Sequence, residues 1–204
     1  MNEKPIIFST SMVKAILDGR KTQTRRVVKP QPTLNIPLGF CTGATDGKNI
    51  GKFGFGLCGD GGQIKYYKPK YQVGDILWVR ETWKPSPYDD GVYAYKANGL
   101  PEPAGCQYLN WRPSIHMPRA AARIFLRVTD VRVERLQDIS ETDAKAEGIT
   151  VVTNNSGLMY CRKFRDLWDK INGKRDKGAY KWDSNPWVWV IEFEPFERVG
   201  ENDE

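Results

Sequence analysis

Apolar positions change period several times along this chain, and each change marks an element. Residues 6–8 form a short apolar run that predicts a strand. Ser9 or Thr10 then stands where a helix N-cap belongs, and Met12, Val13, Ile16 and Leu17 recur at helical spacing. Gly19 occupies the position past a helix end that favours left-handed backbone. The helix therefore stops ahead of Arg20, and the β-prone residues 22–28 follow as a strand.

Residues 29–72 break the pattern. They hold nine glycines, four prolines and six lysines against two aspartates, with Phe53, Phe55, Tyr66, Tyr67 and Tyr71 interspersed. The expectation is a partly mobile inserted loop or hairpin with sparse regular structure. It is either a surface touching nucleic acid or a solvated loop with a few anchoring aromatics. Gly74-Asp75 marks a turn before a buried strand over 76–80, and 92–96 read as another strand. Residues 97–122 hold four prolines and read as a second insertion.

From 123 to 136 the chain is β-like. Ile124, Leu126 and Val128 share one phase and Val131 and Val133 the other, so a bulge or bend is expected near Thr129-Asp130. Ser140 caps a short helix that Gly148 closes. Ser156 is placed to cap a longer helix, on which Leu158, Cys161, Phe164, Leu167, Trp168 and Ile171 make an apolar stripe ended by Gly173. Residues 187–193 alternate as a closing strand, and the tail after Pro195 reads as frayed. The order predicts an α+β protein with a curved or closed, mostly antiparallel sheet, a small β-barrel flanked by helices. It is read as one domain over 1–196 with insertions at about 29–72 and 97–122, and a flexible tail at 197–204.

Charge adds a bias toward polyanions: 31 Lys and Arg against 25 Asp and Glu give a net charge of +6. Seven tryptophans suit an aromatic core or base stacking. No apolar run is long enough to cross a membrane, and residues 1–5 lack a signal peptide's apolar stretch, so a cytoplasmic location without a membrane partner is expected. Cys41, Cys58, Cys106 and Cys161 form no C-x-x-C pair, so free thiols are expected. Together with His116 the first three match no recognised zinc frame, and neither a metal nor another cofactor is expected. The oligomeric state is open, with a monomer favoured.

Nucleotide and hydrolase fingerprints are missing: there is no G-x-S-x-G, P-loop, H-E-x-x-H or Rossmann motif. His116 is the only histidine, so acid–base chemistry falls to Lys, Glu, Asp, Tyr or Cys. The densest cluster is Arg20-Lys21-Thr22-Gln23-Thr24-Arg25-Arg26. It is either a positive surface turn, favourable at a helix C-terminus, or the rim of a binding site. Trp78 is expected in the core and Trp83 at a rim, where it either packs or stacks on a base. Glu81 is either the partner of a nearby arginine, the reading favoured, or a pocket carboxylate. Arg112, Arg119 and Arg123 either contact phosphates or form a solvated face.

Gly19-Arg20-Lys21-Thr22-x-Thr24-x-Arg26 resembles the signature of the ASCH domain family. Residues 74–81 resemble that family's G-D-x-L strand, residues 127–136 with 140–149 its strand and helix pair, and residues 187–193 its closing strand. The whole chain, including residues 113–119, is similar to ASCH proteins carried by phages and prophages. The resemblance implies a PUA-like barrel and a role with RNA or modified bases. The family's acetylcytidine amidohydrolases, considerably shorter proteins, imply catalytic roles for Lys21, Thr24 and Glu147. Thr24 would be the nucleophile, Lys21 its base, and Glu147 a group that positions the substrate amine or shuttles a proton to it. Arg20, Gln23, Arg25, Arg26, Glu81 and Trp83 are the candidate substrate or nucleic-acid contacts. Residues 21 and 24 face opposite sides of an ideal strand, so Lys21 is expected in the turn before it. A non-catalytic RNA- or DNA-binding module and a phage scaffold or regulatory protein are the alternatives.

Overall fold

The computed structural model describes residues 2–34, 36–43, 47–56, 63–99, 106, 109–151 and 159–197. The protein is α+β with mostly antiparallel sheets. Its strands are β1 (Glu3–Ile7), β2 (Gln23–Val27), β3 (Ile36–Phe40), β4 (Phe53–Gly56), β5 (Ile64–Tyr67), β6 (Ile76–Arg80), β7 (Trp83–Pro85), β8 (Tyr93–Tyr95), β9 (Phe125–Arg135) and β10 (Trp187–Pro195). Its α-helices are α1 (Thr10–Leu17), α2 (Glu141–Ala146) and α3 (Met159–Asn172). The main sheet has the order β1-β6-β9-β10-β2, and no closed barrel forms among the described residues. The chain divides into two compact units, 1–22 with 73–129 and 193–204, and 23–72 with 130–192. Strands β9 and β10 each run from one into the other.

In the first unit β1 lies parallel to β6, and β6 runs antiparallel to the start of β9. Ser9 is the N-cap of α1, accepting a hydrogen bond from the Met12 amide. Val13, Ala15 and Ile16 are buried, whereas Leu17 is exposed. Gly19 has φ +69°, a conformation L side chains avoid, and the Arg20 and Lys21 amides both donate to the Ala15 carbonyl at 2.8 and 2.9 Å. That double bond turns the chain sharply straight after the helix. A satellite core of Trp83, Met117 and Ala121, backed by Tyr93 and Tyr95, lies under the β7–β8 hairpin.

In the second unit β10 runs antiparallel to β2, with Ile191 opposite Thr24 and Val190 opposite Arg25. Leu136, Ile139, Ala144, Phe164, Trp168, Val188 and Val190 form the core. The phase change in β9 is real: Leu126 and Val128 are buried on one side of the boundary and Val131 on the other. Helix α2 starts in a reciprocal box, Ser140 accepting from the Asp143 amide and Asp143 from the Ser140 amide. Ser140→Ala is expected to cost about 1 kcal/mol, read as a lower midpoint in urea with an unchanged slope. Gly148 follows α2 at φ +86°. Ser156 and Leu158 lie outside the described residues; on α3, Phe164 and Trp168 are buried and Ile171 is exposed.

Residues 29–72 contradict the expectation of sparse structure. Strands β3, β4 and β5 form an antiparallel three-stranded sheet. Phe53, Phe55 and Tyr71 are buried rather than displayed. Phe53 and Phe40 pack on Trp189, and Phe55 on Trp187. The alternation Phe53-Gly54-Phe55-Gly56 is a period-2 pattern that outweighs the turn-like composition.

Candidate functional site

Each candidate is positioned by its own unit. In the first, Lys21 is only 2% exposed, with its amine 5.4 Å from the centre of the buried Phe8 ring. It lies in the turn ahead of β2, as the strand geometry requires. Arg20 projects into solvent and pairs with Asp18 at 2.8 Å, both side chains 40% exposed or more, a contact worth little. Glu81 is buried and grips Arg123 in a two-pronged ion pair, Nε to Oε1 at 2.9 Å and Nη2 to Oε2 at 3.2 Å. The remaining Arg123 Nη1 donates to Asn98, and the guanidinium sits 4.0 Å from the Tyr95 ring centre. Burial pushes the Tyr95 hydroxyl up to about 12 against the pull of Arg123. Trp83 is buried and Trp78 half-buried, the reverse of the expected order. The Trp83 ring lies against Arg112 and Tyr93. Arg119 is bound to Glu3 through two nitrogens in an exposed pair, whereas Arg123 is held by the buried Glu81.

The second unit holds Gln23, Thr24, Arg25, Arg26 and Glu147. The Gln23 amide donates to the Asp143 carbonyl at 2.9 Å and to its carboxylate at 3.1 Å. Arg25, whose side chain is fully buried, faces three carboxylates: Glu134 at 3.0 Å, Glu147 at 3.4 Å and Asp143 at 3.5 Å. Glu134 and Asp143 are shared with Arg132, which also pairs with Asp130 and, closely, with Glu192. Burial alone would lower the Arg132 pKa, but its bonds to Glu134 and Glu192 overcome that and raise it. Arg26 is half-buried as a residue, yet its Nε is sealed from water, and that burial lowers its guanidinium pKa against the pull of Tyr71 and Glu147. Thr24 is 4% exposed and Glu147 5%. Six of the nine buried polar or charged residues among those described, Lys21, Gln23, Thr24, Arg25, Glu81 and Glu147, are candidates singled out from the sequence.

No family model, curated protein or solved structure matches this chain.

The residues that sequence reasoning missed are Arg132, Glu134, Asp143 and Glu192. Three of them share one signal, alternation: Arg132 and Glu134 in β9, and Glu192 in β10, fall at every second position beside apolar neighbours, whereas Asp143 shows only the Ser140-x-x-Asp143 spacing of a capping box. Burial tends to raise the Asp143 pKa, but hydrogen bonds from Ser140 and Gln23 and the charge of Arg25 hold it below the usual carboxylate range. Glu141 is likewise held low, despite some desolvation, by the Cys161 thiol and the amides of Cys161 and Tyr160. Depressed folded-state values mean stability that is complete above the unfolded pKa, near 4, and lost as pH falls through the folded values. The melting temperature is therefore expected to be flat from about pH 7 to 5 and to fall below about pH 4, with a shallower fall in Asp143→Asn. Burial and Glu141 push the Cys161 thiol up to about 11. Cys41, Cys106 and Cys161 are free thiols, Cys58 lies outside the described residues, and no group of three or more His, Cys, Asp or Glu among those described is placed to hold a metal. No helix among the described residues is long and apolar enough to cross a membrane.

Proposed function

We propose that this protein handles a modified nucleobase, as an ASCH-type, PUA-like amidohydrolase that removes an acyl group from a nucleoside such as N4-acetylcytidine. The observation that carries this reading is the burial of the motif's own polar groups. Withdrawing an amine, a hydroxyl, a guanidinium and a carboxylate from water is costly unless each is paired or used. A groove for a polynucleotide would keep its cations in water, facing phosphates. Arg25 instead spends its charge on Glu134, Asp143 and Glu147. That arrangement favours chemistry on a small group over open-groove binding.

In the reaction, the Thr24 oxygen attacks the acyl carbonyl while its proton passes to a base, the role that the resemblance gives to Lys21. The amide C–N bond then breaks, and the departing exocyclic nitrogen takes up a proton, with Glu147 orienting that nitrogen. Water attacks the resulting ester and returns Thr24 with release of the carboxylic acid. The role of Lys21 rests on the motif, since it belongs to the other compact unit.

The test is incubation of the purified protein with a panel of N-acylated nucleosides, followed by mass spectrometry. Deacylation is expected, reduced about 100-fold or more in Lys21→Ala and Thr24→Ala, each checked by circular dichroism to be folded at the assay temperature, and partly retained in Thr24→Ser. Absence of turnover on every member of the panel overturns the reading.

A further inference from the structure

The three-stranded sheet of residues 36–67 has two different faces. One carries Phe40, Phe53 and Phe55 and is packed on Trp187 and Trp189. The other is apolar and open: Leu38 is 53% exposed, Ile64 49% and Tyr66 37%. Its middle strand contributes only Gly54 and Gly56. A Cβ on Gly54 would meet Ile64 at 3.3 Å and Tyr66 at 3.5 Å, and one on Gly56 would meet Leu38 at 2.8 Å. The three side chains thus lie down over a glycine floor and make a flat strip. Lys52 and Lys68 each lie one residue beyond the Phe53–Tyr67 pair, at the same end of β4 and β5; Lys68 is exposed, and Lys52 is half-buried with its amine donating to the Asn49 side chain at 3.1 Å. Like charges across neighbouring strands repel, a cost that a bound anion removes. Lys48 and Lys70, four and two residues further along the same two segments, are also exposed and add positive charge.

We infer that this face binds a single-stranded nucleic acid, with a base stacked at Tyr66 over the Gly54–Gly56 floor and a phosphate between Lys52 and Lys68. A flat strip three strands wide suits planar bases, whereas an acidic peptide's side chains need pockets between projecting groups. A duplex hides its base faces and gains nothing from the apolar strip. The inference goes beyond deacylation and does not depend on it, since a protein that turns over free nucleosides alone would lack this binding while keeping its activity.

Fluorescence anisotropy with a labelled 12-nucleotide oligouridine, its duplex with oligoadenine, and the intact protein tests it. Single-strand binding is expected to exceed duplex binding, and Tyr66→Ala is expected to weaken it about tenfold or more while Tyr66→Phe retains it. Lys52→Ala with Lys68→Ala is expected to lower the slope of log Kd against log salt by about 1.4. Tyr66 and Lys68 are exposed and Lys52 half-buried, and circular dichroism checks that the variants fold. Equal affinity for the duplex, an unaltered Kd in Tyr66→Ala, or tighter binding of a polyglutamate peptide or of phosphatidylserine vesicles would overturn the inference. Turnover on the nucleoside panel, measured on the same variants, is expected to stay unchanged and so separates this site from the hydrolytic one.

Discussion

Arg25→Met is expected to destabilise the protein by about 3–5 kcal/mol, the range for removing one partner of a buried charge network. The guanidinium is fully buried, and it is the positive centre for the carboxylates of Glu134, Asp143 and Glu147. Glu134 and Asp143 retain Arg132 and some access to water, so their loss is cushioned. Glu147, with its side chain only 4% exposed, is left buried beside Arg26 and bears most of the penalty. At about 2–4 °C per kcal/mol for a chain of this size, the melting temperature should fall by about 10 °C. Arg25→Met combined with Glu147→Leu should recover part of that loss, because a buried carboxylate is removed along with one of its two cationic neighbours, Arg25 and Arg26. Equal melting temperatures for wild type and Arg25→Met would mean that the carboxylates around Arg25 are hydrated, and would remove the support that burial lends to the hydrolytic reading.

Local patterns were readable where their causes are local. Ser9, the 3.6-residue spacing of Val13 and Ile16, and Gly19 lie within a dozen residues of one another, and together they predict α1 and the turn that holds Lys21. The phase change between Val128 and Val131 likewise announces a change of surroundings, and it falls where β9 passes from one compact unit to the other. The cluster around Arg25 was not readable. Glu134 and Glu147 lie 109 and 122 residues away in sequence, and nothing in a motif says which carboxylates a sheet and a helix will bring to one guanidinium. Trp78 and Trp83 were transposed because one tryptophan in a strand and one just after it give no sign of which side is covered; Met117 and Ala121, more than thirty residues on, cover Trp83. In each failure the deciding partner comes from a distant segment, and tertiary packing overrides local preference.

Residues 29–72 put that competition to a quantitative test. Glycines and lysines there read as a loop whose aromatics either anchor it or are displayed to nucleic acid, and only on the second view would Phe55→Ala leave stability untouched. The ring is instead wholly buried, with Phe53, Tyr67 and Trp187 at centroid separations of 5.2, 5.4 and 5.1 Å, the last two edge-on. Truncating a phenylalanine so enclosed is expected to cost about 3–5 kcal/mol, since the Phe53, Tyr67 and Trp187 rings around it are fixed on strands and close the cavity only in part. Tyr66→Ala, one strand away but on the open face, is expected to change stability by no more than about 0.5 kcal/mol. Chemical unfolding of the two variants in parallel therefore reads the two faces of one sheet separately. A large loss at Phe55 with none at Tyr66 shows that the aromatics of this segment are divided between holding the sheet on β10 and remaining available at the surface. Equal effects would mean that the segment does not dock as a sheet at all.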